Sequence, residues 1–400
     1  MGSIVEDRKK NLLSLGLIFL LLGITLRFLL KDNELSALFA LIHQADGRWL
    51  LLGLAVMAGF FALEALCIQL LMRQLNYRLG FGRCYAYSLI DFYFSSITPG
   101  CCGGQPSQIY FMDRDGIPIG ASSLVLLMFN LAYHLAALVI IGGIMALRGG
   151  QVLAEMGFIK YFLIYGAAAQ LFLVIAFVTV VFSRNLMPRL AGGAVSLLAR
   201  IRLVKDREAA LAKLDEQAAE YRGGAAFIRE NPSIMLKLLV IALLHLIAYY
   251  SMAYWVYRAF GLNGASPLTL ISMQALLALS MESLPIPGGV GVMEGAFVLL
   301  YSGAFGESLV LPAMLLTRGL NYYFWLLLGG MVSAGALRLT QKRAALAEER
   351  RRAAAKARAV AAKAKTAASS AAAAGVKAAA ASAGASAGAL ALERAPRRPL

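Results

Sequence analysis

Two stretches of this chain put proline and glycine where an apolar sequence should be helical, and they limit what the chain can become. The first is Thr98-Pro99-Gly100-Cys101-Cys102-Gly103-Gly104-Gln105-Pro106-Ser107-Gln108. The second is Leu284-Pro285-Ile286-Pro287-Gly288-Gly289-Val290-Gly291-Val292-Met293-Glu294. At this density Pro and Gly interrupt helical hydrogen bonding. In hydrocarbon, non-helical backbone survives only where it is buried in protein or lines a wet cavity. An ungapped shift of about 188 positions lays Pro99-Gly100 on Pro287-Gly288, Gly103 on Gly291, Asn130 on Arg318 and Gly142 on Gly330. Two broken helices at matching places in two halves point to a transporter-like site.

The membrane setting follows from composition. The chain is 60% hydrophobic, and its mean hydropathy of +0.70 belongs to integral membrane proteins. The expected fold is therefore all-α and integral to the membrane, built as two inverted repeats. Six full spans are read at about 11–30, 49–72, 118–147, 158–182, 233–260 and 308–338. Two re-entrant hairpins, 85–115 and 268–305, carry the Pro-Gly breaks, because neither arm of either hairpin reaches the roughly 20 residues of a full crossing. If the hairpins cross, the count becomes eight. The first repeat is 1–147 and the second 148–340, with an insert at 183–231. Within the insert, 206–222 has helical periodicity with charged faces and is expected at the membrane surface.

Charge orients this layout. With the N-terminus inside, Arg73, Arg78, Arg83, Arg114, the nine basic residues of the insert and the tail all lie inside, while outer loops hold Lys31, Arg48, Arg148 and Lys160. The expectation is a multi-pass protein of a bacterial inner membrane with both termini cytoplasmic. The run from Leu12 to Leu30 behind Arg8, Lys9 and Lys10 is too long for a signal peptide and lacks a small-residue cleavage site, so it reads as a retained anchor. From Gln341 onward, thirteen Lys or Arg stand against three acids and carry ten of the sixteen net positive charges. This low-complexity tail, 341–400, has no apolar face and is expected to be disordered. Anionic lipid headgroups are favoured over nucleic acid as its partner. A homo-oligomer is allowed by the sequence.

Charged groups within spans are costly and default to functional hypotheses. They are Glu64, Asp91, Glu282, Glu294 and Arg318. Glu294 follows the second break and Arg318 lies within the last span, so the two are expected to face one cavity, as a structural ion pair or as ligand contacts. Gly103, Gly104 and Gln105 open one short helix, and Gly288, Gly289 and Gly291 precede another. Free N–H groups at such helix ends can hold an anion, a lipid phosphate at this depth, or the glycines serve only a tight turn and close packing. Gln105 and Gln108 either read a headgroup or hold the hairpin's shape. Glu64, Asp91, Asn130, Glu282 and Asn321 are cavity candidates, and Glu64 is expected to lack a partner in its own half. His134 and His245 read as packed polar residues. Tyr249, Tyr250, Tyr254, Trp255 and Tyr257 read as an interfacial belt.

Cys67, Cys84, Cys101 and Cys102 have no zinc-type spacing and read as small buried packing residues. No catalytic residues, cofactor or metal are expected. There is no G-x-G-x-x-G, Walker A, H-E-x-x-H or G-x-S-x-G signature, which sets an ATP-driven pump aside.

The motif T-P-G-x-x-G-G-Q-P-x-Q-I-Y-x-M-x-x-D-G-I-P at 98–118, with L-P-I-P-G-G-V-G-x-x-E-G at 284–295 and L-L-T-R-G at 315–319, resembles the flippase-like membrane domain of lysylphosphatidylglycerol synthases and their stand-alone relatives. The resemblance covers roughly 10–340. Glu294 and Arg318 match the family pattern. Many members carry an acidic residue where Gln105 stands and a basic one where Gln108 stands, so a charged headgroup clamp is not implied for the first half. The resemblance implies movement of an anionic or aminoacylated phospholipid between leaflets. In full-length synthases a cytoplasmic domain follows the membrane domain and transfers lysine from lysyl-tRNA to phosphatidylglycerol, the product that the membrane domain moves. Low-complexity sequence stands at that place here, so lysyl transfer is expected to lack its machinery and ranks second. A non-transporting envelope partner, docking through the basic insert and tail, is the third reading.

Overall fold

A computed structural model describes residues 40–155, 159–182, 226, 230–282 and 286–341. The expected first span at 11–30, nearly all of the insert, Leu284, Pro285 and the tail beyond 341 lie outside the described residues. The described chain is helical and contains no strand. It is an all-α integral membrane protein, and among the described residues five helices are long and apolar enough to cross a bilayer. It divides into two compact units, Met1–Ala336 and Leu337–Leu400. Everything below belongs to the first.

The long helix α1 spans Gly47–Gln74. Its first turn is capped by Asp46, whose Oδ1 accepts the Arg48 N–H at 2.9 Å. Gly53, Met57, Phe61, Glu64, Ile68 and Leu71 recur every three or four residues and are buried, which is one face of a helix. The opposite face is also apolar, with Leu51, Leu52 and Leu66 exposed. Lipid-facing surfaces require this, and it leaves the polar residues on the packed side.

After α1 come α2 (Phe81–Ile97), the first break as a single 3₁₀ turn (Pro99–Cys101), and α3 (Gly104–Arg114). Two apolar helices follow, α4 (Ile119–Glu155) and α5 (Ile159–Phe182). The order of long helix, short helix, Pro-Gly turn, short helix and a further helix then recurs. Its members are α6 (Pro232–Tyr250) with α7 (Met252–Ala259), α8 (Pro267–Glu282), the second break (Pro287–Gly289), α9 (Val292–Phe305) and α10 (Val310–Arg318). A π turn at Gly319–Tyr323 follows α10. The hairpin arms α2, α3, α8 and α9 have 17, 11, 16 and 14 residues. At 1.5 Å per residue α2, α3 and α8 reach at most about 25 Å, short of a hydrocarbon core of about 30 Å, whereas α9 taken together with the second break, Pro287–Phe305, is one of the five helices long and apolar enough to cross.

Helix contacts are made where backbone can approach backbone. A Cβ on Gly166 of α5 would stand 2.1 Å from the Leu279 carbonyl oxygen of α8, and one on Gly329 would stand 2.7 Å from that of Leu89 on α2. Such small-residue contacts are how helices associate in lipid. In the middle, α1 packs on α6. The His245 Nδ1–H donates to the Phe60 carbonyl at 2.9 Å, and the imidazole stacks on the Phe60 ring. His134 bonds Gln170 and ties α4 to α5.

The aromatic run at 249–257 packs within the protein: Tyr250 and Tyr257 are buried, and Trp255 stacks on Trp49 of α1. Tyr257 joins a cluster with α8 and α9 that includes Leu277, Phe297 and Tyr301. The reading of the cysteines is corrected: of the four, Cys67 and Cys84 are buried. Cys101 and Cys102 are exposed, because they occupy the turn and not a packed helix face.

Candidate functional site

The second break is shaped by its glycines. Gly288, Gly289 and Gly291 take φ of +59°, +63° and +93°, conformations that L side chains rarely adopt. Gly288 has a second constraint, since a Cβ there would lie 1.8 Å from Tyr322 Oη. The chain leaves this turn as α9, whose first N–H groups have no partner within the helix. Glu294, one turn in, supplies one: its Oε2 accepts the Gly291 N–H at 2.6 Å.

The other oxygen faces α10. Arg318 Nε donates to Glu294 Oε1 at 2.7 Å, and Tyr323 Oη donates to the same oxygen at 3.0 Å. Arg318 Nη2 donates to the Gly288 carbonyl at 3.0 Å. The guanidinium carbon sits 4.2 Å from the Tyr322 ring centre, close enough for a cation–π contact. Glu294 is 0% exposed and Arg318 4%. At this burial a charge is tolerable only when paired and hydrogen-bonded, and both conditions hold. A buried carboxylate thus fills a site made of a helix N-terminus and a guanidinium. That donor set suits any anion with two adjacent oxygens.

The first break is built differently. Thr98 Oγ1 accepts the Gly103 N–H at 2.9 Å and donates to the Phe94 carbonyl at 2.7 Å. Gly104 lies under α2: a Cβ there would meet Ser95 Oγ at 2.1 Å and Asp91 Oδ1 at 2.3 Å. Here too a carboxyl group covers the start of the short helix. No cation pairs with it among the described residues. Gln108, buried on α3, donates through Nε2 to Glu64 Oε1 at 3.0 Å and to the Tyr87 carbonyl at 3.2 Å. Glu64 therefore has a partner in its own half, against the expectation from sequence, and it lies within charge–charge reach of Asp91.

The two breaks meet. Tyr322 Oη lies 3.5 Å from the Ser96 carbonyl on the other hairpin, to which it donates. Ile97, Val290, Tyr322 and Leu326 share one buried cluster. Of the candidates, Gly288, Gly291, Glu294 and Arg318 come together around the second break, with Gly289 in its turn. Gly103 and Gly104 stand at the first, with Glu64, Asp91 and Gln108 beside them. Gln105 is partly exposed on the first turn of α3. Asn130, at the position matching Arg318, turns its Nδ2 back to the Leu126 carbonyl of its own helix at 2.8 Å. Asn321 is buried, with its Oδ1 unpartnered among the described residues. Glu282 closes α8, and its side chain lies outside the described part.

Sequence reasoning missed Tyr323. An α-helix puts residues 318 and 322 on one face, whereas a π turn of i→i+5 bonds brings 323 round as well. The Gly-Leu-Asn-Tyr-Tyr run that forms the turn carries no α-helix-breaking signal.

In comparison with known proteins, the family model of the lysylphosphatidylglycerol synthase TM region matches residues 11–329. A "UPF0104 membrane protein" of Archaeoglobus fulgidus is 27% identical over 97 residues, which are 24% of this chain and 30% of that protein. The chain thus aligns with under a third of that relative's length.

Proposed function

The chain belongs to the lysylphosphatidylglycerol synthase TM-region family, and from that premise we propose that it moves an anionic or aminoacylated phospholipid between the leaflets of a bacterial inner membrane. The observation that carries this reading is the buried Glu294–Arg318 pair at the mouth of α9. A phosphodiester presents two anionic oxygens, as a carboxylate does. Glu294 is read as the resting occupant of the anion site, and a lipid phosphate displaces it onto solvent or onto a cationic headgroup. Arg318, the α9 N–H groups and the close backbone at Gly288 then hold the phosphate. The two hairpins are read as inverted partners that enter from opposite sides and rock about their contact.

The test is lipid translocation in proteoliposomes, with headgroup-labelled phosphatidylglycerol and a membrane-impermeant quencher. Wild type should accelerate quenching. Arg318→Gln combined with Glu294→Gln, which leaves no unpaired buried charge, should fold and lose the acceleration. Transport that survives in this folded double variant removes Arg318 from the site. Lysylated lipid formed by cells expressing the chain would instead favour aminoacyl transfer.

A further inference from the structure

We propose that Thr317 and Asn321 form a subsite beside Arg318 that takes the hydrogen-bond-donating end of a lipid headgroup, a hydroxyl or a primary ammonium. It selects such lipids over those whose headgroups carry no O–H or N–H. The inference deepens the reading of Arg318 as the holder of the lipid phosphate, and it rests on that reading.

Among the described residues, five buried side-chain N or O atoms lack a hydrogen-bond partner. Two of them, Thr317 Oγ1 and Asn321 Oδ1, bracket Arg318. Both residues are 1% exposed. Elsewhere the chain closes such groups on its own helices. Thr179 Oγ1 and Ser280 Oγ each donate at 2.7 Å to the carbonyl four residues back, those of Ile175 and Leu276. Asn130 does the same with its amide at 2.8 Å. This back-bonding is the usual resort of a polar side chain inside a helix. Thr317 Oγ1 and Asn321 Oδ1 do not use it. A buried acceptor without a donor costs stability, and a native structure that carries one calls for a reason. A ligand that reaches these atoms when Glu294 is displaced supplies it.

The π turn puts the two oxygens together. From 317 to 321 the chain takes one α step of about 100° and then the smaller steps of the turn, so the winding closes on about a full circle. Asn321 thus stands over Thr317, as Tyr322 stands over Arg318. The neighbours fix the direction. Leu320 reaches Gly53 of α1, where a Cβ would lie 3.1 Å from its Cδ1, and Tyr322 abuts Gly288 in the second break. Asn321 lies between these two in the winding, so its row runs inward beside the row of Arg318. The turn does not need Asn321 for its own closure. The Leu320 carbonyl takes the Trp325 Nε1–H at 2.8 Å.

The atoms decide the ligand chemistry. An amide oxygen only accepts, and a hydroxyl accepts or donates. The partner of Asn321 Oδ1 therefore carries an O–H or an N–H. With the phosphate on Arg318, the next atoms along a headgroup are a short carbon stem and then its terminal hydroxyl or ammonium, which falls to the neighbouring row. A site built to hydrogen-bond a group rejects the analogue that lacks it, because its buried polar atoms stay unpaired.

The experiment measures lipid binding to the full chain in detergent by native mass spectrometry, with two lipid pairs. Phosphatidylglycerol against phosphatidylmethanol tests a hydroxyl at equal charge, and phosphatidylethanolamine against phosphatidylcholine tests an ammonium. Wild type should prefer the donor-bearing member of at least one pair by about tenfold. Thr317→Val with Asn321→Leu should bring both members of that pair to one affinity, which a general loss of fold would not do. This double variant should also melt no lower than wild type, because the atoms it removes are unpartnered in the resting protein. No preference in either pair, a preference kept by the double variant, or a lower melting temperature overturns the proposal; the last would mean that buried water already holds the two oxygens. Arg318→Gln with Glu294→Gln separates the two claims. It should weaken both anionic lipids together. If it weakens neither, the phosphate reading fails and the subsite with it. If it weakens both while the Thr317 and Asn321 variant stays selective, the subsite alone fails.

Discussion

At Gly288 two demands fall on one atom position: a φ of +59° and a Tyr322 hydroxyl 1.8 Å from where a Cβ would sit. Gly288→Ala should therefore destabilise the protein by more than the ~1–3 kcal/mol of a strained backbone alone. Gly295, on α9 with open space around its Cβ position, is the control, and Gly295→Ala should stabilise by up to about 1 kcal/mol. Thermal unfolding in detergent reads both. Equal behaviour would mean that the turn is not held against Tyr322. The same residue-scale logic applies to Arg318. Glu294→Ala leaves a buried guanidinium unpaired and should cost about 3–5 kcal/mol, most of it recovered when Arg318 is neutralised too. This pair was legible in the sequence because charges in an apolar span need a reason. Tyr323 was not, because its place depends on a π turn that no residue pattern announces.

Among the elements, the first hairpin is pinned by one amide. Gln108 on α3 reaches Glu64 on α1 and the Tyr87 carbonyl on α2, so three helices meet at a residue with 2% exposure. Gln108→Leu should strand a buried carboxyl oxygen and a carbonyl and cost about 1–3 kcal/mol for each group left unsatisfied. Gln108→Glu should be worse, since it adds a third carboxyl beside Glu64 and Asp91. A melting temperature of Gln108→Leu equal to wild type would show that the hairpin is held by apolar packing alone. The hairpin arms themselves were readable, because Pro-Gly density marks where a helix must stop. What packs on what was not. In lipid both faces of a helix are apolar, so hydrophobic periodicity says little about which face packs, and nothing in the run from Tyr249 to Tyr257 announces that Tyr250 and Tyr257 are the buried ones.

For the molecule as a whole, the 188-residue correspondence predicts two breaks, but sequence gives no distance between them. The structure brings them into one buried cluster and shows that they differ in charge. Asp91 and Glu64 stand by the first break, where no cation pairs with Asp91 among the described residues, whereas Glu294 is paired with Arg318 at the second. A rocking mechanism requires this contact to part. Ile97 and Val290, one from each hairpin and both buried in the shared cluster, are the places to fasten it. Ile97→Cys with Val290→Cys, in a chain whose Cys101 and Cys102 are Ser, should be bridged by a mild oxidant, with loss of both introduced thiols by mass. In proteoliposomes the bridged protein should stop accelerating lipid translocation, and reduction should restore it. Each chain with only one of the two introduced cysteines should be indifferent to oxidant, which separates locking from damage. If the bridged chain still moves lipid at the reduced rate, the breaks do not separate during transport, and the lipid must pass along a path that leaves their contact closed.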